Sequence, residues 1–218
     1  MLRMNESEHA SCYAAPGTGR FARIRLGVLL IGLTTFAQLY IFQPILEALR
    51  DYYDIPHTAA SLSVSTGTIG IAIGLFYYVF YADGISRKRL MGYSMLVAAL
   101  LTLLTPLAPN FTVLLIINTL RGLALSGTTA VTLAYLAEEI SPRDIGLAIS
   151  LYISGNTIGG MSGRVLATLL SGWYGWQIMA LAIGVACVTM SLIFLKVLPA
   201  SRNFRPCLLY TSDAADDL

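Results

Sequence analysis

Six long apolar stretches, joined by connectors that are alternately rich in cations and almost free of them, leave this chain very few ways to fold. A hydrocarbon layer about 30 Å thick asks for about 20 mostly apolar residues per crossing helix. The stretches run from Leu26 to Leu49, Ala59 to Ala82, Leu90 to Leu107, Phe111 to Ala137, Ile145 to Leu170 and Trp176 to Leu198. A water-soluble core has no use for so much apolar surface. Of the chain 56% is hydrophobic and 12% charged, against soluble-domain averages of roughly 45–50% and 25%.

The cations fix the threading. Arg3, Arg20, Arg23 and Arg25 precede the first stretch, and Arg87, Lys88 and Arg89 join the second to the third. Arg143 joins the fourth to the fifth, and Lys196, Arg202 and Arg205 close the sixth, whereas the opposite connectors hold Arg50 alone. The bias of Lys and Arg toward the inner side predicts an all-α membrane protein of six transmembrane helices with both termini in the cytoplasm. The first stretch is too long for a signal-peptide core, and no small-residue cleavage pattern follows it before Arg50.

Several function classes are disfavoured. Cys12 and Cys207 flank the apolar region and Cys187 is within it, so neither a disulfide framework nor metal-ligand spacing is visible, and nothing calls for a metal or a cofactor. No basic tract exceeds three residues, so nucleic acid is not an implied partner. The two histidines, His9 and His57, lie outside the stretches, and neither Gly-x-Ser-x-Gly nor His-Glu-x-x-His occurs, so an enzyme is not expected.

Charges inside the stretches are the chemical signal. Arg121 lies ten residues from one end of the fourth stretch and farther from the other, too deep to reach the interface easily. A charge at that depth costs about 2.5–3.5 kcal/mol on insertion scales and marks function by default. Arg164 is nearer the outer end of the fifth stretch, where reaching the interface is a second reading. Glu47, Asp83, Glu138 and Glu139 all fall at stretch ends, so the buried positive charge has no counter-ion here and a cationic cargo is disfavoured. Gly155, Gly159 and Gly163 repeat every four residues, a smooth stripe for close helix packing that is also common in membrane helices generally. Asp83 followed by Arg87, Lys88 and Arg89 makes either a reversible charge latch or a set of topology signals at lipid headgroups. Gln38, Tyr40, Gln43 and Pro44 give the first stretch its polar end, as a pocket wall or an interfacial terminus.

The connector around Asp83 resembles the major facilitator superfamily motif Gly-x-x-x-Asp-Arg-x-Gly-Arg-Arg/Lys. Asp83, Arg87 and Lys88 match it, while Val79, Gly84 and Ser86 depart. The fifth stretch resembles the family's antiporter motif at Gly146, Gly155, Gly159 and Gly163, with Gly160 in place of the proline and Arg164 in place of the last glycine. In Asn118-Thr-Leu-Arg121-Gly122 the family's arginine position holds Asn118, with Arg121 one turn later. Glu138, Glu139, Pro142 and Arg143 resemble the charged loop beside that latch, or are ordinary solvated charges. Ser171-Gly-Trp173-Tyr-Gly-Trp176 echoes Asp83-Gly-Ile-Ser-Arg87 three helices earlier, as a 3+3 inverted repeat would. The runs Tyr152–Arg164 and Leu198–Pro206 resemble the YnfM-like branch of bacterial permeases.

The resemblance implies the N-terminal half of a proton-coupled exporter in the bacterial inner membrane. Its cargo would be a small polar or anionic solute of the sugar or drug efflux type, moved by alternating access with a missing C-terminal six-helix half. It implies Arg121, Arg164, Asn118, Gln38 and Asn156 on the solute's path, Asp83, Arg87, Lys88, Glu139 and Arg143 as the gate, and Gly146, Gly155, Gly159 and Gly163 at a helix contact. A six-helix half-transporter or non-transporting assembly subunit is the other reading. The expected organisation is a cytoplasmic tail over 1–25, the bundle over 26–198 and the start of a central loop over 199–206. Residues 207–218, CLLYTSDAADDL, resemble translated sequencing-adapter read-through, which would leave the chain cut short. A genuine short tail is the alternative.

Overall fold

The computed structural model describes residues 13–14, 17–81 and 85–201. Asp83, Cys12, the tail 207–218 and most of 1–25 lie outside those residues. Six long helices dominate: α1 (Gly19–Tyr40), α2 (Leu62–Tyr81), α3 (Arg87–Leu104), α4 (Phe111–Glu139), α5 (Ile145–Tyr174) and α6 (Trp176–Val197). Among the described residues there is no strand, only an isolated bridge between Ala14 and Ile140.

Local chemistry sets the boundaries. Thr18 Oγ1 accepts from Phe21 N at 3.2 Å and Asn110 Oδ1 from Val113 N at 2.9 Å, capping α1 and α4. The first helix therefore begins well before Leu26 and takes Arg20, Arg23 and Arg25 into its opening turns. It also ends early: Pro44 falls in a 3₁₀ turn, Gln43–Ile45, after which a separate short helix, Leu46–Tyr53, resumes. Gly175 alone separates α5 from α6, at φ 86° and ψ 159°, a region that side-chain-bearing residues avoid.

By length and composition, five stretches can cross a membrane: Gly19–Tyr53, His57–Tyr78, Arg87–Leu107, Phe111–Glu139 and Trp176–Val197. The sixth expected crossing falls in α5, which has 30 residues but is diluted by glycine, serine, threonine, Asn156 and Arg164.

The most extensive pairings are α2 with α4 and α1 with α5, followed by α3 with α4 and α3 with α6. Exchanging the first three helices for the last three converts the α1–α5 pair into the α4–α2 pair. Both pairs are close because glycines line them. Cβ atoms on Gly155 and Gly163 would lie 2.8 Å from Leu29 O and 2.7 Å from Ala37 Cα, and one on Gly159 would overlap Leu33 O. Across the other pair, Gly70 abuts Thr119 O and Gly122 abuts Gly67 O. Between lipid-like surfaces such backbone proximity supplies the dispersion contacts that hydrophobic burial cannot. Gly146 takes no part in it, since nothing lies within 4 Å of its Cβ position. It sits in the first turn of α5, short of α1.

Two apolar clusters occupy the ends of the bundle. One gathers Phe21, Ile24, Met91, Met95, Tyr135, Leu136, Phe194 and Leu198, and the other Ile41, Phe42, Leu49, Leu114, Trp176 and Met179. Along α1 and α4 the buried residues between them include a polar layer, Thr34, Thr35, Gln38, Asn118, Arg121 and Thr128, beside the apolar Ala37, Ala124 and Leu125.

Candidate functional site

Arg121 lies in that polar layer, 1% exposed. Its NH2 donates to Asn118 Oδ1, three residues earlier on α4, and Asn118 Nδ2 donates in turn to Ser63 O and, at 3.4 Å, to Thr66 Oγ1 of α2. The guanidinium carbon stands 4.7 Å from the centroid of the Phe42 ring, a cation–π contact made in low dielectric. Nε and NH1 are buried with no hydrogen-bond partner, and among the described residues no carboxylate pairs with this charge. Buried donors left unmade cost about 1–3 kcal/mol each, more when charged. Gln38 of α1 is buried, accepting from Thr102 Oγ1 of α3 at 3.2 Å and donating to Thr34 O at 3.4 Å.

A second polar feature opens on the surface between α1 and α5. Phe36, Tyr40, Asn156, Thr157, Gly160, Met161 and Arg164 line a groove of about 410 Å³. The Arg164 guanidinium carbon lies over Tyr40, 4.0 Å from the ring centroid, and its Nε donates to Gln43 Oε1 at 2.8 Å. The polar end of the first stretch is thus divided between two places: Tyr40 and Gln43 belong to the groove, while Gln38 faces the interior. Arg164 is one of a row of exposed residues down α5, with Ser150, Ser154, Thr157, Met161 and Thr168. Spacings of three and four put the row on one helical face. Ile158, Val165 and Leu169, also exposed, sit on the flank away from the groove.

At the bundle end that bears Arg87, charges from three parts of the chain converge with a serine from a fourth. Arg87 donates from Nε and NH2 to Glu138 Oε1 at 3.2 and 3.1 Å, and Arg20 pairs with Glu139, which is completely buried. Ser201 Oγ donates to Glu139 Oε1 at 2.7 Å and approaches Glu138 Oε2 at 3.4 Å. The same segment is held where Tyr135 OH donates to Pro199 O at 3.0 Å, and Ala14 N donates to Glu139 O at 2.9 Å. Of the residues expected at this gate, Arg87 and Glu139 are in the cluster. Lys88 and Arg143 make no ion pair among the described residues, and Asp83 lies outside them. Arg20 and Ser201 were not legible as members: Arg20 reads as one more topology cation, and a serine beyond the last helix carries no signal at all.

Replacing Arg20 with Gln is expected to destabilise this end by about 1–2 kcal/mol, because the buried Glu139 carboxylate loses its guanidinium. Hydrogen exchange should show it as faster loss of the Ala14 amide proton, with amides in the middle of α4 unchanged.

The family described as Major Facilitator Superfamily matches residues 28–206 of the chain. The inner membrane transport protein YnfM of Escherichia coli (strain K12) is 42% identical over 193 residues, covering 88% of this chain and 46% of that protein. YybF, an uncharacterized MFS-type transporter of Bacillus subtilis (strain 168), is 40% identical over 194 residues, 89% of this chain and 48% of its own length. In fold the chain is similar to a bacterial homolog of the human lysosomal transporter Spinster, solved in an inward-facing, unoccupied conformation. The TM-score is 0.74 at 15% identity, covering 88% of this chain and 45% of that one. The chain therefore spans about half the length of the relatives it matches. These relatives are membrane transporters and not enzymes, and with several helices apolar enough to cross a bilayer the chain is a multi-pass membrane protein.

Proposed function

The chain belongs to the Major Facilitator Superfamily, and from that membership we propose that it is the N-terminal half of a secondary active transporter moving a small polar or anionic solute by alternating access. One observation carries the choice of solute. Two guanidinium groups, Arg121 in the interior and Arg164 on the groove, stand in a bundle whose described acidic residues all lie at helix ends or in connectors. A low-dielectric passage with that one sign of charge concentrates anions and repels cations.

The proposal includes six crossings, with α5 as the sixth. Its polar row faces a watery passage and its Ile158 flank faces lipid. The exchange of α1–α5 for α4–α2 supports two three-helix repeats of inverted topology. The bias of Lys and Arg puts the Arg87 end in the cytoplasm, and the relatives support the bacterial inner membrane. Since relatives of this length class are about twice as long, a second bundle completes the passage. Arg164 and Asn156 meet the solute at the groove, and a change of helix tilt opens the layer of Arg121, Asn118 and Gln38 to it. Arg87 with Glu138, and Arg20 with Glu139, form the inner gate together with Asp83, Lys88 and Arg143. The glycine pattern of α5 favours export in exchange for protons.

The test is reconstitution of the full-length protein in sealed vesicles under an imposed proton gradient. Solute flux that follows the gradient and collapses with a protonophore is the expected result. Flux driven by membrane potential or ATP, and indifferent to a pH difference, would overturn proton coupling.

A further inference from the structure

The groove between α1 and α5 has a chemistry more specific than a preference for negative charge. Four observations define it. The Arg164 guanidinium is anchored at two points, by the Tyr40 face beneath it at 4.0 Å and by Gln43 at Nε. Among the described residues its two terminal nitrogens make no hydrogen bond, so they present an end-on pair of parallel donors. That pair matches the two oxygens of a carboxylate. No acidic residue lines the groove.

The remaining walls suit something apolar and flat. Phe36 and Tyr40 meet at 5.9 Å between centroids with their planes tilted by 58°. Met161, a polarizable side chain that adapts to aromatic edges, stands opposite from α5 and is 66% exposed. Gly160 has Tyr40 carbon atoms 3.1 and 3.2 Å from its Cβ position, so one edge of the Tyr40 ring packs against the α5 backbone where a side chain would displace it. At about 410 Å³ the groove falls in the lower part of the range of small-molecule sites, roughly 300–1,000 Å³.

We infer that this groove binds a small carboxylate carrying a planar apolar ring, with the carboxylate on the terminal nitrogens of Arg164 and the ring between Phe36, Tyr40 and Met161. The inference rests on the transport reading and names its substrate class. Neither half of such a ligand suffices. An acyclic acid satisfies Arg164 but leaves the aromatic wall wet, and a neutral ring leaves the guanidinium unanswered.

The probes are benzoate, acetate and benzamide, titrated calorimetrically into the full-length protein in lipid nanodiscs. Benzoate is expected to bind, with acetate and benzamide each weaker by at least about tenfold. That factor is the equivalent of losing the ring's burial or one charge-assisted pair of hydrogen bonds. Arg164→Gln should weaken benzoate by at least about tenfold, and Arg164→Lys, which keeps the charge but not the fork, by less. Should Arg164→Gln fail to give a monodisperse, helical protein, Tyr40→Leu serves instead, lowering benzoate affinity by a larger factor than acetate affinity, since it removes a ring wall as well as one anchor of Arg164. Equal binding of acetate and benzoate, equal binding of benzamide and benzoate, or benzoate affinity untouched in both a folded Arg164→Gln and a folded Tyr40→Leu would overturn the assignment. Proton-driven flux of other solutes with no benzoate binding removes the ring-carboxylate site and leaves the transport reading standing. Benzoate binding without proton-driven flux supports the site and removes that reading instead.

Discussion

Gly159→Val is expected to pull α1 away from α5 and to be among the most damaging single substitutions in the chain. A Cβ at this position would overlap the Leu33 carbonyl oxygen and lie 2.5 Å from Leu33 Cα. Those are backbone atoms in the middle of a helix, so no rotamer change can move them. Only a rigid shift of α1 relieves the overlap, and such a shift also loosens the contacts at Gly155 and Gly163, one turn to either side. Overpacking costs typically about 1–3 kcal/mol where side chains can yield, and here about 3 kcal/mol or more is expected. For a chain of this size that corresponds to a midpoint lower by about 6–12 °C. Thermal unfolding of purified protein, followed by loss of the monodisperse peak in detergent, measures it. Gly146→Ala is the control, with no neighbour within 4 Å of its Cβ position and no expected change. If Gly159→Val melts with the parent while remaining folded, the glycine stripe is not what holds α1 against α5.

The glycine stripe also shows where sequence reasoning reaches. A repeat of four in α5 is visible because it is regular and because a helix is the only structure long enough to carry it. The matching contact in α2 is less regular, since Gly67, Gly70 and Gly74 are spaced by three and four and are interleaved with threonine and isoleucine, and it became evident only when α4 was seen against them. Five of the six stretches were legible to within about four residues, because length, hydropathy and caps are local properties, whereas the first runs Gly19–Tyr40 in place of Leu26 to Leu49. What a side chain faces across the bundle is not local. Gln38 and Tyr40 are two residues apart and look equally eligible for a pocket. A helical turn of 100° per residue sends one to Thr102 in the interior and the other to Arg164 at the surface. In the same way Glu138 and Glu139 are adjacent, yet they answer two arginines, Arg87 and Arg20, that are far apart in sequence. Pair identity of this kind follows from tertiary approach, which no spacing in a single chain encodes.

The other large effect is expected at Arg121, where stability and function should move in opposite directions. Arg121→Met keeps an unbranched apolar stem in the site while removing a charge whose Nε and NH1 have no partner. Buried charges replaced by apolar side chains of similar volume often leave a protein as stable, or more stable by about 1–4 kcal/mol. The melting temperature should therefore hold or rise. Flux should fall by about tenfold to a hundredfold, the factor that matches the loss of one charge-assisted hydrogen bond to an anion in a buried site. Asn118→Ala is expected to do the reverse to stability, because it takes away the one hydrogen-bond acceptor Arg121 has among the described residues and leaves the guanidinium with the Phe42 ring alone. The two residues touch, so their effects cannot be independent. In the double variant the penalty of Asn118→Ala should largely disappear, since no charge remains to be stranded. Melting temperatures of the four proteins measure the coupling. If Asn118→Ala costs the same with or without the guanidinium, Arg121 has another acceptor, and its role as an unanswered positive charge waiting for an anion is lost.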